Sequence, residues 1–324
     1  MEMVINIENL SKEYRAKVKS GFWRDAFFPK QKTVPAVEDI SFYIKKGESV
    51  ALLGPNGAGK TTTMKVLSGL LYPTSGKVDV LGYFPFDRKR DFLKRIGLVM
   101  GNKSGLSWDL TPSQNFELSK KIYKISDRAF EERVKYLTEL LDVEALMNTQ
   151  VRKLSLGERM KMELIGSILH SPEILFLDEP TIGLDIISKQ KIRKFLREIQ
   201  KKYQVTILLT SHDMDDVEKV SDRVIVINHG NIIFDDSMAQ LLHKYKTKKY
   251  LTLLLTEEVP SSEIKKFGKI IERKPLSYTI AVASGDQPKI IAEISEKLPI
   301  DDIDIVHVPL EEIIADMFKA SKHF

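Results

Sequence analysis

The sequence contains no cysteine, which rules out disulfide cross-links and thiolate zinc sites. It also lacks any apolar run near the roughly 20 residues that a bilayer-spanning helix needs; the best runs, 205–210 and 174–177, are strand-sized. The N-terminus shows no signal-peptide succession of charged, apolar and small residues, so a soluble, cytoplasmic chain is expected. The six histidines, at 170, 212, 229, 243, 307 and 323, show no metal-ligand spacing. A net charge of +5 spread over 324 residues is too mild to assign a nucleic acid or a membrane as partner. Internal repeats and low-complexity tracts are also missing.

What is present begins with length. A chain of 324 residues exceeds one ordinary core and suits a large α/β domain with a small appendage. Up to about residue 240, short β-branched runs alternate with helical patterns, which predicts a mainly parallel sheet covered by helices. The runs are 50–53, 96–100, 174–177, 205–209 and 223–228. Over about 84–170 strands thin out after Met100 and helices dominate, the pattern of a helical insertion. One helix there opens at Thr111-Pro112-Ser113-Gln114, with Thr111 as N-cap, Pro112 at the first helical position and Gln114 closing a capping box. A basic connector over 241–249 is expected to lead into a small α+β domain, 250–324. Its predicted strands are 250–255, 278–283 and 303–308, with helices near 261–267 and 287–298.

The chemistry starts at residues 54–61, Gly-Pro-Asn-Gly-Ala-Gly-Lys-Thr, between an apolar run and a helix-favouring stretch. Glycines let consecutive backbone N–H groups turn onto one anion, Lys60 reaches terminal phosphates, and the Thr61 hydroxyl suits magnesium at the positive end of a helix. This predicts nucleoside triphosphate binding. Residues 174–179, Ile-Leu-Phe-Leu-Asp-Glu, form a buried-strand run ending in two carboxylates, with Pro180 as terminator. Strand alternation would turn Asp178 toward magnesium and Glu179 toward an attacking water, which makes Glu179 the general-base candidate. Leu154-Ser155-Leu156-Gly157-Glu158 stands at a helix start, where Ser155 is either a simple N-cap or part of a second anion site. His212 follows the apolar run 205–210, at the strand end where ligands of open α/β sheets collect, and is a γ-phosphate contact candidate.

In this order and spacing, these motifs resemble the nucleotide-binding subunit of ATP-binding cassette (ABC) transporters over roughly residues 1–240. The resemblance implies a phosphate-loop NTPase sheet core with a helical insertion, and a small C-terminal α+β domain. It implies ATP and magnesium as ligands. Tyr14 would stack on adenine, while Gly54, Pro55, Asn56, Gly57, Ala58, Gly59, Lys60, Thr61 and Thr62 would hold phosphates. Thr61 and Asp178 would hold the metal, Glu179 would polarise water, and His212 would contact the γ-phosphate. Leu154, Ser155, Gly157 and Glu158 would serve as signature, and Gly183-Leu184-Asp185 as D-loop. The signature of one subunit would cover the nucleotide of a second copy or paralogous subunit, so hydrolysis would require a dimer. Two departures stand out. Gly101 or Asn102 occupies the place of the family's magnesium-sensing glutamine, and Asn102 is shorter by one carbon–carbon bond, about 1.5 Å. Leu156 and Glu158 replace the commoner glycine and glutamine.

Residues 102–110 with the helix after them, Thr181-Ile182-Gly183-Leu184-Asp185 and Ser211-His212-Asp213-Met214-Asp215-Asp216 are similar to exporter-type ATPases that pair with separate type 2 permeases. So is the small C-terminal domain. The resemblance implies a chain peripheral on the inner face of the cell membrane, partnered by an integral-membrane permease. A rival reading is a soluble ABC ATPase acting on nucleic acid or ribosomes. The absence of a long coiled coil between the phosphate loop and the signature, and of a second cassette, favours the transporter, with no nucleic-acid partner expected. Residues 15–32 form an insert with six basic residues, one acidic residue and four aromatics. It suits either a membrane or permease surface, or a hairpin packed on its own domain. If the former holds, removing residues 17–32 weakens co-purification with the permease while ATP binding persists; unchanged co-purification counts against it.

Overall fold

The computed structural model describes residues 2–17, 31–101, 103–245, 248–283 and 285–321, in two compact units divided between Asp236 and Ser237. Most of the 15–32 insert and Asn102 lie outside the described residues.

The first unit opens with β1 (Met3–Lys17) and β2 (Gln31–Lys45), paired antiparallel from Met3↔Lys45 to Lys17↔Gln31. Then come β3 (Ser49–Leu53), α1 (Lys60–Leu67), β4 (Ser75–Val80), α2 (Arg90–Leu93) and β5 (Ile96–Met100). Three longer helices follow, α3 (Pro112–Tyr123), α4 (Asp127–Leu141) and α5 (Leu156–Ile168). The unit closes with β6 (Ile174–Asp178), α6 (Ile186–Tyr203), β7 (Thr206–Thr210), α7 (Met214–Val220), β8 (Arg223–Asn228) and β9 (Asn231–Ser237).

The six-stranded sheet runs β5-β6-β7-β3-β8-β9, with β5, β6, β7, β3 and β8 parallel. Its central strands read as continuous apolar runs because both faces are covered. Along β6, Leu175 and Leu177 join a core with Ile165 of α5 and Phe195 of α6, while Ile174 and Phe176 join a core with Met64 and β1. Each such leucine or isoleucine contributes about 1.5–3 kcal/mol through surface removed from water. Helix α6 places Ile192, Phe195, Leu196 and Ile199 on its buried side at helical spacing.

Two sequence expectations need correction. Residues 1–240 do not form one sheet: β1, β2 and β4 make a separate antiparallel sheet of order β2-β1-β4. Buried Ile5 and Ile7 alternate with exposed or half-buried Asn6 and Glu8 there, the pattern of a sheet covered on one face, which a search for continuous apolar runs misses. The connector expected over 241–249 is instead largely structured, as α8 (Met238–Tyr245) and the start of β10 (Lys248–Leu255). Met238 and Leu241 are buried.

The second unit continues with α9 (Ser261–Ile264), β11 (Lys269–Lys274), β12 (Ser277–Ala283), α10 (Gln287–Lys297), β13 (Ile300–His307) and α11 (Leu310–Ala320). Its antiparallel sheet has the order β11-β12-β10-β13, a split βαβ arrangement. Strand β11, Lys-Ile-Ile-Glu-Arg-Lys, was not anticipated; charges on an exposed edge strand mask its pattern and protect the edge from mispairing.

Candidate nucleotide site

Parallel strands deliver chemistry to one edge of the sheet. β3 ends just before Gly54, β6 ends at Asp178 with Glu179 next, and β7 ends at Thr210 with Ser211 and His212 next. A cavity of about 300 Å³ opens there, lined by Tyr14, Ala36, Asn56, Gly57, Gly59, Lys60, Thr61, Thr62 and Glu179.

The phosphate loop needs its glycines for two separate reasons. Gly57 (φ 82°) and Gly59 (φ 108°) occupy the left-handed region, and a Cβ on Gly59 would lie 2.4 Å from the Ala36 carbonyl oxygen. Gly59 also begins α1 with no side-chain cap, which leaves the helix's first N–H groups available to an anion. Lys60 is buried, and its Nζ donates to the carbonyl oxygens of Gly54 (2.7 Å) and Pro55 (3.1 Å). Burial pushes the Lys60 ammonium below the ordinary lysine range, partly opposed by the carboxylates of Glu179 and Asp178.

Across the cavity, Asp178 Oδ1 accepts from the Thr61 hydroxyl at 3.3 Å and from the Thr210 hydroxyl at 2.6 Å. The two carboxylates take different partners, and strand alternation does not separate them as the sequence suggested. Strand β6 stops at Asp178, and Glu179 takes a left-handed φ of 55°. Such a conformation in a non-glycine residue requires support from its surroundings; here the Glu179 N–H donates to the Thr210 carbonyl (3.0 Å) and hydroxyl (3.1 Å). Glu179 Oε1 then lies 2.7 Å from His212 Nε2. Tyr14 borders the same cavity through β1, its hydroxyl 3.4 Å from that of Thr62.

The signature residues are not brought to this cavity within the chain. Ser155 caps α5 in a full capping box: its hydroxyl accepts from the Glu158 N–H (3.3 Å), and its N–H donates to Glu158 Oε2 (2.8 Å). Gly157 is buried against the start of α6, where a Cβ would lie 2.8 Å from Ser188 Oγ. Leu154 is buried. Asp185 caps α6 by accepting from the Ser188 N–H (2.9 Å) and hydroxyl (2.6 Å); the Ser188 side chain and then its backbone hold the Asp185 carboxyl below the usual range.

Three participants escaped the sequence reading. Thr210 braces both acidic residues, and its place at the end of β7, just before Ser211 and His212, was the available signal. Ala36 lines the cavity from β2. A buried cluster on Arg193 and Asp216 lies behind the site: Arg193 donates to Asp216 (2.5 Å), Asp213 (2.9 Å) and Asp215 (3.2 Å). Asp216 also accepts from the hydroxyls of Thr181 and Ser211. Nothing in the sequence pairs α6 with α7, so this network was invisible there.

Comparison with known proteins agrees with the geometry. The family profile described as ABC transporter matches residues 37–182. The ABC transporter ATP-binding protein NatA of Bacillus subtilis (strain 168) is 34% identical over 222 residues, 68% of this chain and 90% of the relative. The bacitracin transport ATP-binding protein BcrA of Bacillus licheniformis is 32% identical over 223 residues, 69% of this chain and 71% of the relative. A solved ATP-binding cassette, dimeric in a post-hydrolysis state with ADP and Pi, shares the fold at a TM-score of 0.61 and 23% identity, covering 72% of this chain and 98% of that one. Relatives this similar, matched over most of their own length, establish what the ordered motifs had suggested: the chain belongs to the ATP-binding subunits of ABC transporters and is an ATPase.

Proposed function

We propose that this chain energises export through a separate integral-membrane permease, by closing with a second copy or a paralogous subunit over two ATP molecules. The observation that carries this reading is the separation of the site into halves. The cavity at the phosphate loop holds Lys60, Thr61 and Glu179 but no signature residue, which supports a signature supplied by another chain. An exposed apolar surface stands beside the signature: Ile186 is 74% exposed, Ile187 67%, Ile182 51% and Leu156 38%. A Cβ on Gly183 would touch the Leu156 side chain, and one on Gly101 the Ile182 side chain, which makes the surface continuous from the signature to the edge beside β6. Patches of this kind mark interaction sites.

The donor set suits magnesium. Thr61 Oγ1 and Asp178 Oδ1 are hard oxygen donors 3.3 Å apart, near the roughly 2.9 Å between neighbouring ligands of an octahedral magnesium with bonds of about 2.05 Å. A magnesium ion held there would neutralise developing charge on the phosphates. Lys60 gives up its bonds to the loop carbonyls for the terminal phosphates, and the open N-terminus of α1 receives the phosphate oxygens. Glu179 accepts a proton from the attacking water, while His212 orients the Glu179 carboxylate and reaches the γ-phosphate. Tyr14 faces the adenine. Gly101 or Asn102, the latter outside the described residues, would take the position of the family's metal-sensing glutamine.

No helix among the described residues is long and apolar enough to cross a membrane, which fits an ATPase peripheral to its permease. Similarity to a bacitracin transport protein and to NatA supports the exporter branch. The dimer is tested in the slow-turnover variant Glu179→Gln, which should elute as a dimer with ATP. Adding Ile186→Lys and Ile187→Lys should remove about 3 kcal/mol of apolar burial, roughly a hundredfold in dissociation constant, and return the chain to monomer. Glu179→Gln remaining monomeric at saturating ATP would count against the composite site.

A further inference from the structure

The signature of this chain carries an acid, Glu158, whose carboxylate already occupies the donors beside it. The Ser155 N–H and the Ser155 hydroxyl each donate to Glu158 Oε2 at 2.8 Å, while the Ser155 hydroxyl oxygen accepts from the Glu158 N–H at 3.3 Å. A carboxylate only accepts, which fixes the direction of these bonds: the N–H and the O–H of Ser155 are both spent on Glu158. A glutamine here would close the same capping box through its carbonyl oxygen and could turn its amide N–H toward the serine oxygen, leaving the hydroxyl proton free. Ser155 is exposed at the start of α5, where a helix N-terminus favours an anion. The Glu158 carboxylate thus stands where a phosphate oxygen would bond, with the same sign of charge.

One turn further along α5 lies a cation. Lys161 is buried, and lysine is rarely so without a partner; yet its ammonium makes no hydrogen bond or ion pair among the described residues. Burial and then Lys191 push it below the ordinary lysine range, opposed by the carboxylates of Asp142, Asp185 and Glu158. Two of those carboxylates are committed elsewhere: Asp142 accepts from Lys191 at 2.7 Å, and Asp185 caps α6 through Ser188. Glu158 is the one that shares a helix with Lys161. Their i, i+3 spacing lets the side chains meet, and a long helical side chain such as Lys161 leans toward the helix N-terminus and so toward Glu158.

We propose, resting on the composite site above, that Glu158 is a specificity-determining residue: it holds Ser155 in the separated chain and yields it to the γ-phosphate of a second chain's ATP by swinging onto Lys161. The buried ammonium receives the displaced carboxylate, so its charge does not face the phosphate. ADP has no γ-phosphate to offer Ser155 in exchange, and Glu158 then stays in place.

The test is a cycle of substitutions in the Glu179→Gln background at saturating Mg-ATP, with the dimer dissociation constant read by sedimentation equilibrium. Glu158→Gln keeps the capping box and should tighten the dimer about tenfold, a typical coupling between sites. Lys161→Met fills the buried position without charge and should weaken the dimer about tenfold, because the displaced carboxylate then has no counter-ion. Added to Glu158→Gln, Lys161→Met should change the constant by less than about twofold, a loss of effect that a purely packing role for Lys161 would not produce. If Lys161→Met does not fold, Lys161→Gln takes its place in the same cycle. The proposal is overturned if Glu158→Gln leaves dimerisation unchanged or weakens it, or if the Lys161 substitution weakens the dimer equally with and without Glu158→Gln. Failure of Glu179→Gln itself to dimerise counts instead against the composite site.

Discussion

Glu179→Gln is expected to slow ATP turnover by about 10²–10⁴-fold, the range typical of losing a positioned general base, while ATP binding is retained within a few-fold. The expectation rests on how firmly the carboxylate is aimed. Its backbone leaves β6 in the left-handed region, braced by two bonds from its N–H to Thr210, and its Oε1 lies 2.7 Å from His212 Nε2. It borders the cavity that also holds Lys60 and Thr61. Glutamine preserves size and shape but offers no basic oxygen to a water proton. Because Asp178, Thr61 and the phosphate loop are untouched, ATP should still bind and the bound state should accumulate. Rapid-quench phosphate release beside equilibrium nucleotide binding measures the two effects separately. Turnover within tenfold of the parent would assign the base to another group.

Arg193→Ala should produce the largest loss of stability, about 3–5 kcal/mol, the cost of removing one partner from a buried ion pair. Arg193 and Asp216 are both buried, and the guanidinium is the cation that gathers Asp213, Asp215 and Asp216 from α7 and the residue before it. Lys189 still pairs with Asp213 at 2.7 Å, but Asp216 would keep only the hydroxyls of Thr181 and Ser211. For a unit this size the loss corresponds to roughly 10 °C in the thermal midpoint. Those two hydroxyls belong to the segments that carry Glu179 and His212, so turnover should fall at temperatures where the variant remains folded. Arg193→Lys restores the charge but not the fork of donors, and should recover only part of the loss. A denaturation midpoint shifted by less than 1 kcal/mol would show that the network is not the brace described here.

Much of the site was legible because its motifs are local. The turn geometry at Gly57 and Gly59, the uncapped start of α1, the capping boxes at Thr111 and Ser155 and the acidic end of β6 each depend on residues a few positions apart, where spacing and residue type carry the physics. The antiparallel sheet of β1, β2 and β4 was harder to read, because strands covered on one face alternate rather than run apolar. Charged β11 was hidden for a related reason: its surface charges describe solvent exposure more than backbone conformation.

The sequence alone was enough to expect a nucleoside triphosphate at the phosphate loop, Asp178 and Glu179 as the acids beside it, and two domains in succession. Tertiary structure decided which groups meet. The contact of Glu179 with His212, the packing of Gly157 against Ser188 and the Arg193 network all join residues far apart in the chain. Such contacts arise from the register of neighbouring strands and the packing of helices on them, which no local pattern encodes. For the same reason the absence of signature residues from the lining of the phosphate-loop cavity is read from the fold and from no local pattern.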